Sequence, residues 1–143
     1  MKVEIVTPVG LKYSGDAAGV IAPGSLGDVG ILPGHQPMVA GLRTGICVIQ
    51  NPGGTAKQGV DADLRLLIDG GYLHVVGGQT ITITTELCEQ WDEVDVPAAR
   101  KTLEVATAEL LASREETSSQ MWLVKKHRVD LADARVRIGG MKP

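Results

Sequence analysis

The sequence predicts a β-plus-α fold: an N-terminal antiparallel β-sandwich, or flattened barrel, over residues 1–90, then a C-terminal antiparallel two-helix hairpin over residues 91–143. Three observations predict it. All eighteen glycines of the 143-residue chain lie either in residues 10–78 or in the pair Gly139-Gly140. Glycine and proline at that density punctuate a chain into short strands and tight turns. From Gln79 to Ile138 there is no glycine and the only proline is Pro97, and the later residues are rich in Ala, Leu, Glu, Lys and Arg, which favour helix. Finally, Thr80-Ile81-Thr82-Ile83-Thr84 alternates apolar and polar residues, as a half-buried strand requires.

The elements follow in order. Lys2–Thr7 is β-branched and alternating, hence a strand, and Pro8-Val9-Gly10 turns it. Leu11–Ile21 is a second extended stretch, and Pro23–Gly30 reads as a loop. Pro33-Gly34 suits the two central positions of a type II turn, where proline presets φ and glycine accepts a positive one. Met38–Leu42 and Gly45–Gln50 read as strands split by Arg43-Thr44, and Asn51-Pro52-Gly53-Gly54 as a turn. Thr55–Val60, Leu64–Ile68, Tyr72–Val76 and Thr80–Thr85 are further strands, the last three parted by Gly70-Gly71 and Gly77-Gly78 in the manner of two-residue hairpin loops. Asp95 is a suitable N-cap, with Pro97 in the first turn where a missing N–H matters little. Ala99, Leu103, Ala106 and Leu110 then form a narrow, alanine-rich stripe. Ser118 or Ser119 can cap a second helix that Gly139-Gly140 stops, with Trp122, Val129 and Val136 as an apolar seam and Ala132 beside it.

Composition narrows the function. There are two Trp, two Tyr and no Phe, so the core is built from aliphatic residues and no aromatic platform stands ready to stack nucleic-acid bases. No apolar run approaches the roughly 18 residues that would cross a bilayer, and the opening MKVEIVTP is not expected to be a signal peptide. Cys47 and Cys88 form no CxxC and have no histidine at zinc-ligand spacing; Cys47 lies in an apolar run and reads as a buried thiol. His35, His74 and His127 are scattered, and neither GxSxG nor HExxH occurs, so no catalytic or metal site and no cofactor is expected.

Charge is divided unevenly. Residues 1–97 carry five Lys/Arg and eleven Asp/Glu, whereas residues 98–143 carry nine and six. Along the second helix, Lys126 and Arg137 share a face with Asp130 and Asp133, four residues away in each case. Lys125, Arg128 and Arg135 share another face on which the helix places no acid. Such a stripe is either a solvated face or a contact for an acidic partner, where charge sets register and encounter rate.

Several motifs together resemble the epsilon subunit of the rotary F-type ATP synthase (delta in mitochondria). They are Val3-Glu4-Ile5-Val6-Thr7-Pro8, Ser14-Gly15, Leu42-Arg43-Thr44-Gly45, Gly70-Gly71 before Tyr72-Leu73-His74-Val75, and above all Gly27–Pro37, which is similar to the family's G-x-x-G-I-x-P-G-H-x-P segment. The resemblance implies a non-catalytic, regulatory rotor subunit on the cytoplasmic face of the bacterial inner membrane, held there by its complex. Its partners would be the gamma subunit, the c-ring and the alpha/beta catalytic head. The implied docking loop holds Asp28, Gly30, Ile31, Pro33, Gly34 and His35, with Asp28 and His35 at the family's acid and histidine positions. The implied head contact is Lys125, Arg128 and Arg135, and the helices would restrain ATP hydrolysis. Some family members bind ATP through aliphatic-Asp-x-x-Arg-Ala; here Val94-Asp95-Val96-Pro97-Ala98-Ala99 keeps Asp95 but has Ala98 in place of the arginine, so nucleotide is not expected to bind. Arg100 lies about 200° further round the helix and does not replace it. The other reading is a β-sandwich adaptor with a basic helical arm from an unrelated assembly.

Overall fold

A computed structural model describes residues 1–52, 63–114, 116 and 119–140. Eight strands come first among these: β1 (Lys2–Thr7), β2 (Gly10–Asp16), β3 (Gly19–Gly24), β4 (Gly27–Ile31), β5 (Met38–Gln50), β6 (Leu64–Val76), β7 (Thr80–Thr84) and β8 (Cys88–Glu89). A single 3₁₀ turn, Trp91–Glu93, leads to α1 (Val96–Leu111) and α2 (Gln120–Gly139). The expected strand Thr55–Val60 lies outside the described residues.

The strands pair in the order β2-β1-β7-β6-β5-β3-β4, with β8 on β6. Every pairing is antiparallel except β1 with β7, which is parallel. The long partners β5 and β6 organise the sandwich. Met38–Leu42 and Gly71–Val75 pair in the layer that continues through β7, β1 and β2, while Thr44–Ile49 and Leu64–Asp69 pair in the layer that carries β3 and β8. One core joins them, with Val3, Ile5, Leu73, Val75, Ile81 and Ile83 facing Val20, Cys47, Ile49, Leu66 and Ile68.

Several boundaries differ from the sequence reading. Arg43-Thr44 does not interrupt β5, because Arg43 reaches outward to Asp28 and Thr44 donates to Asp69 while the ladder continues. Gly70-Gly71 is not a hairpin loop either. Both have positive φ (67° and 98°) inside β6, and a Cβ on Gly71 would collide with the Thr84 carbonyl of β7. The pair therefore lets β6 bend from one layer to the other where no side chain fits. Gly77-Gly78 does turn the chain, with φ of 61° and 71°, but the loop between β6 and β7 has three residues, since Gln79 joins it and Val76 pairs with Thr80. The stretch 11–21 divides into β2 and β3, and the expected loop 23–30 is a β3–β4 hairpin. Pro23 is tolerated there because the β3–β5 register breaks between Ile21 and Gly24, so no ladder bond needs its missing N–H.

Helix α2 lies on the outside of the sheet, over β5 and β6. A second apolar cluster forms there from Leu67, Ala134 and Ile138, with Ile46, Trp91, Val94 and Leu131 packed against it. Asp95 caps α1 by accepting from the Ala98 N–H at 3.1 Å, and Ser119 caps α2 by accepting from the Trp122 N–H at 3.2 Å. The α1 stripe is buried at Ala99 and Ala106, as its spacing predicts. On α2 the deepest burial is at Ala132, Ala134 and Ile138, while Trp122, Val129 and Val136 are only half-buried. No helix among the described residues is long and apolar enough to cross a membrane.

Candidate functional site

The predicted docking segment is a strand edge followed by a turn. Asp28 lies on β4, where its Oδ1 accepts from Arg43 Nη2 at 2.8 Å; Arg43 Nη1 also donates to the Gly24 carbonyl at 2.6 Å. Gly30 is exposed on the same strand, whereas Ile31 is fully buried and belongs to the core. Ile31 therefore anchors the segment from beneath and offers no surface. Beyond it, His35 N–H donates to the Leu32 carbonyl at 3.1 Å and Gly34 has φ of 85°, which closes the turn around Pro33-Gly34. Gly34 N–H donates to the Gly78 carbonyl at 2.8 Å, so this turn is pinned to the β6–β7 turn. His35 Nδ1 donates to the neighbouring Gln36 carbonyl at 2.8 Å. Asp28 and His35 thus flank one segment without sharing a partner.

Beside this segment lies an apolar face that sequence reasoning missed. Leu73 and Val75 point into the core, so Tyr72, His74 and Val76 point out, with Tyr72 opposite Gly41 and His74 opposite Val39 of β5. Val39 and Tyr72 are each 65% exposed, and Leu32 and Val76 are also exposed at the same end. The alternation was legible, but not which of its two faces the core would cover.

The basic residues of α2 sort as expected on one face. Lys126 Nζ meets Asp130 at 2.6 Å and Arg137 Nε meets Asp133 at 3.2 Å. The other face needs correction: it lacks acids only along the helix. Arg128 Nη1 pairs with Glu109 of α1 at 2.7 Å and Arg135 Nη2 with Glu89 of β8 at 2.8 Å, while Lys125 Nζ donates to Ser113 Oγ at 3.5 Å. A further polar contact docks the helix: His127 Nε2 lies 2.7 Å from Asp69 Oδ1, which also accepts from Thr44 Oγ1. Glu89, Glu109 and Asp69 come from distant elements, which no spacing rule along α2 could reveal.

Arg128 and Arg135 line a cleft of about 420 Å³ between the helices and β8, shared with Glu89, Glu93, Asp95 and Thr102. Asp95 spends its carboxylate on the α1 cap, and exposed Ala98 supplies nothing to bind a phosphate. Both cysteines are free and buried. Burial pushes the Cys47 thiol up to about 12 and Cys88 to about 11, so neither is a ready nucleophile. Among the described residues no group of three or more His, Cys, Asp or Glu is placed to hold a metal ion.

A sandwich bearing a helix pair on its outer face is the arrangement of one class of ATP synthase subunit. The profile of the ATP synthase delta/epsilon chain beta-sandwich domain matches residues 1–90. The ATP synthase epsilon chain of Brevibacillus brevis is 36% identical over 110 residues, 77% of each chain, and that of Geobacter sp. strain M21 is 31% identical over 140 residues, 98% of this chain and 94% of the other. The chain belongs to the ATP synthase epsilon chain family. The fold is also that of a chain in the Euglena gracilis mitochondrial ATP synthase OSCP/F1/c-ring structure, with a TM-score of 0.74 at 20% identity, covering 98% of this chain and 80% of that one.

Proposed function

We propose that this epsilon chain is a non-catalytic rotor subunit that couples the gamma subunit to the c-ring through its sandwich and restrains ATP hydrolysis through its helices. It would sit at the membrane surface only through that complex, on the cytoplasmic face of a bacterial inner membrane. The observation that carries the docking half is the exposed apolar face of Val39, Tyr72 and Val76, continuous with Leu32 and the turn at Pro33-Gly34. Clustered exposed aliphatic and aromatic side chains mark an interface on a soluble domain. His35, in the turn pinned to Gly78, lies beside that face and would set its orientation on the partner, whereas Asp28 faces Arg43 and a cleft at the end of α2. In this reading residues 1–90 are the docking unit and residues 91–143 the regulatory arm.

The restraint half rests on Lys125, Arg128 and Arg135. When the arm leaves the sandwich Arg135 loses Glu89, and when α2 also parts from α1 Arg128 loses Glu109; the acidic segments of the catalytic head would replace those carboxylates. Removing residues 98–143 from a reconstituted complex should leave assembly intact and raise ATP hydrolysis; unchanged hydrolysis would end the regulatory reading. Reversing Lys125, Arg128 and Arg135 to glutamate should weaken inhibition more than reversing Lys126 and Arg137. Reversal also repels α2 from Glu89 of the sandwich and from Glu109 of α1, so a loss of inhibition despite that release points to the head contact. The 420 Å³ cleft should not take ATP, since Ala98 replaces the clamp arginine and its two lining arginines already face carboxylates. Calorimetry on the isolated chain tests this, and micromolar affinity would overturn it.

A further inference from the structure

We propose that Arg43 is a positioning residue for the segment Gly27–His35, and that Asp28 acts through Arg43 rather than on a partner. This rests on the reading that the sandwich docks on the rotor. Strand β4 is an edge strand and pairs only with β3 among the described residues. The β3–β5 ladder that would anchor both is itself interrupted. Ile21 pairs with Val48 and Gly24 with Leu42, so residues 43–47 of β5 lie opposite only Ala22 and Pro23. Pro23 has no N–H to donate there. Beyond the gap, the hairpin tip meets the sheet through the Ser25 N–H, which donates to the Gly41 carbonyl at 2.9 Å.

Arg43 stands in that gap. Its Nη1 donates to the Gly24 carbonyl of β3 at 2.6 Å and its Nη2 to Asp28 Oδ1 of β4 at 2.8 Å, so one guanidinium is bonded to each arm of the hairpin. A planar guanidinium holds two acceptors in one fixed geometry, which the single point charge of a lysine does not. The Arg43 and Asp28 side chains are 47% and 64% exposed, so solvent screens most of their attraction and the pair adds little to global stability. Its effect is on orientation.

The segment is then held at three places. Arg43 ties its start, Ile31 is buried in the core at its middle, and the Gly34 N–H donates to the Gly78 carbonyl near its end. Without the first tie, Gly27–Gly30 and the wholly exposed Leu26 at the hairpin tip gain freedom while Ile31 keeps the core packed. A partner that recognises the segment must then order it on binding, which lowers affinity. An acid at position 28 thus matters to docking without touching the partner.

The test measures rebinding of the full chain to ATP synthase stripped of its own epsilon chain, together with amide NMR shifts of the isolated chain. Arg43→Ala should weaken rebinding about tenfold by loss of preorganisation. It should move the shifts of Gly24–Gly30 and leave those of β1 and β7, and the urea midpoint, in place. Asp28→Ala should act in the same direction, but in an Arg43→Ala background it should weaken rebinding by less than about twofold more, since both changes remove one tie. Asp28→Asn keeps an acceptor for Nη2 and should stay within about threefold of the parent chain. Three outcomes would overturn the proposal: Arg43→Ala rebinding as tightly as the parent, an Asp28→Ala effect of equal size with and without Arg43, or Asp28→Asn losing affinity while its hairpin shifts stay native. The last two would place the carboxylate on the partner. Failure of the parent chain to rebind would count against docking itself, and the hairpin shifts of isolated Arg43→Ala would still decide whether Arg43 holds the hairpin.

Discussion

The sheet and the helices are held by different kinds of side chain. The sheet buries Ile5, Ile31, Ile49, Leu73, Ile81 and Ile83 completely, joined by Val3, Val20 and Val75. The helices bury Ala99, Ala106, Ala132 and Ala134, and only Ile138 among their larger residues. Fully burying a large aliphatic side chain contributes about 1.5–3 kcal/mol, and alanine has far less surface to give. The helices meet the sheet instead through a small apolar cluster and two polar contacts whose carboxylates are largely buried, His127–Asp69 and Arg135–Glu89. A stiff body with a loosely seated appendage follows from composition alone. Such an appendage can exchange one resting place for another at modest free-energy difference.

The largest effect separates the two regions most sharply. Ile83→Ala empties a fully buried position between the layers and should destabilise the whole chain by about 2–5 kcal/mol in denaturant unfolding. Ile138→Ala removes a side chain equally buried, but one seated between α2 and Leu67. Its loss of up to about 2–5 kcal/mol should be confined to the helices: amide exchange should rise along α2 while the amides of β1 and β7 stay protected. If Ile138→Ala unfolds the strands as well, the helices are part of the same cooperative unit and the contrast between the regions fails.

How far this was legible in the sequence depends on whether the cause was local. The turn at Pro33-Gly34, the strand Thr80–Thr84 and the caps Asp95 and Ser119 were legible because each rests on neighbouring residues. Continuity of β5 through Arg43-Thr44 was not, since the partners that accept those polar side chains, Asp28 and Asp69, come from other strands. The sheet-facing side of α2 also escaped, although one cue existed. Leu66-Leu67-Ile68 is a continuous apolar run, the signature of a strand covered on both faces, and Leu67 is indeed the residue beneath Ala134 and Ile138. The segment Gly27–Pro37 was legible as a motif, but the burial of Ile31 and the exposed face at Val39 and Tyr72 required the topology. The charge pairs of Arg128 and Arg135 required it too.

A medium effect isolates the sheet by its titration. Burial raises Cys47 from its ordinary 9.0 to about 12 and Cys88 to about 11. The folded chain thus keeps both thiol protons above pH 9 while the unfolded chain gives them up. The folded state binds more protons there, so stability is full below pH 9 and falls as pH rises toward the folded values. The slope from one such thiol is at most about 1.4 kcal/mol per pH unit. Cys47→Ala should be less stable at pH 8 yet show a shallower decline between pH 9 and 11, measured by urea unfolding. An unchanged slope would mean that the buried thiol ionises as readily as the unfolded one.

The smallest effect lies at the joint between the two regions. Arg135 and Glu89 meet at 2.8 Å, with side chains 36% and 14% exposed, on opposite sides of the boundary. Partly solvated ion pairs contribute about 0–1 kcal/mol, because solvent screening offsets most of the attraction. A double-mutant cycle with Glu89→Gln and Arg135→Gln, read as the stability of α2 by amide exchange, should return a coupling within that range. Each single variant leaves its partner beside water, so neither should unfold the helices. A small coupling is what a releasable arm needs, since its basic side chain must give up Glu89 before it can meet another carboxylate. A coupling of several kcal/mol would instead make this pair a structural clamp, and the helices could no longer be regarded as lightly held.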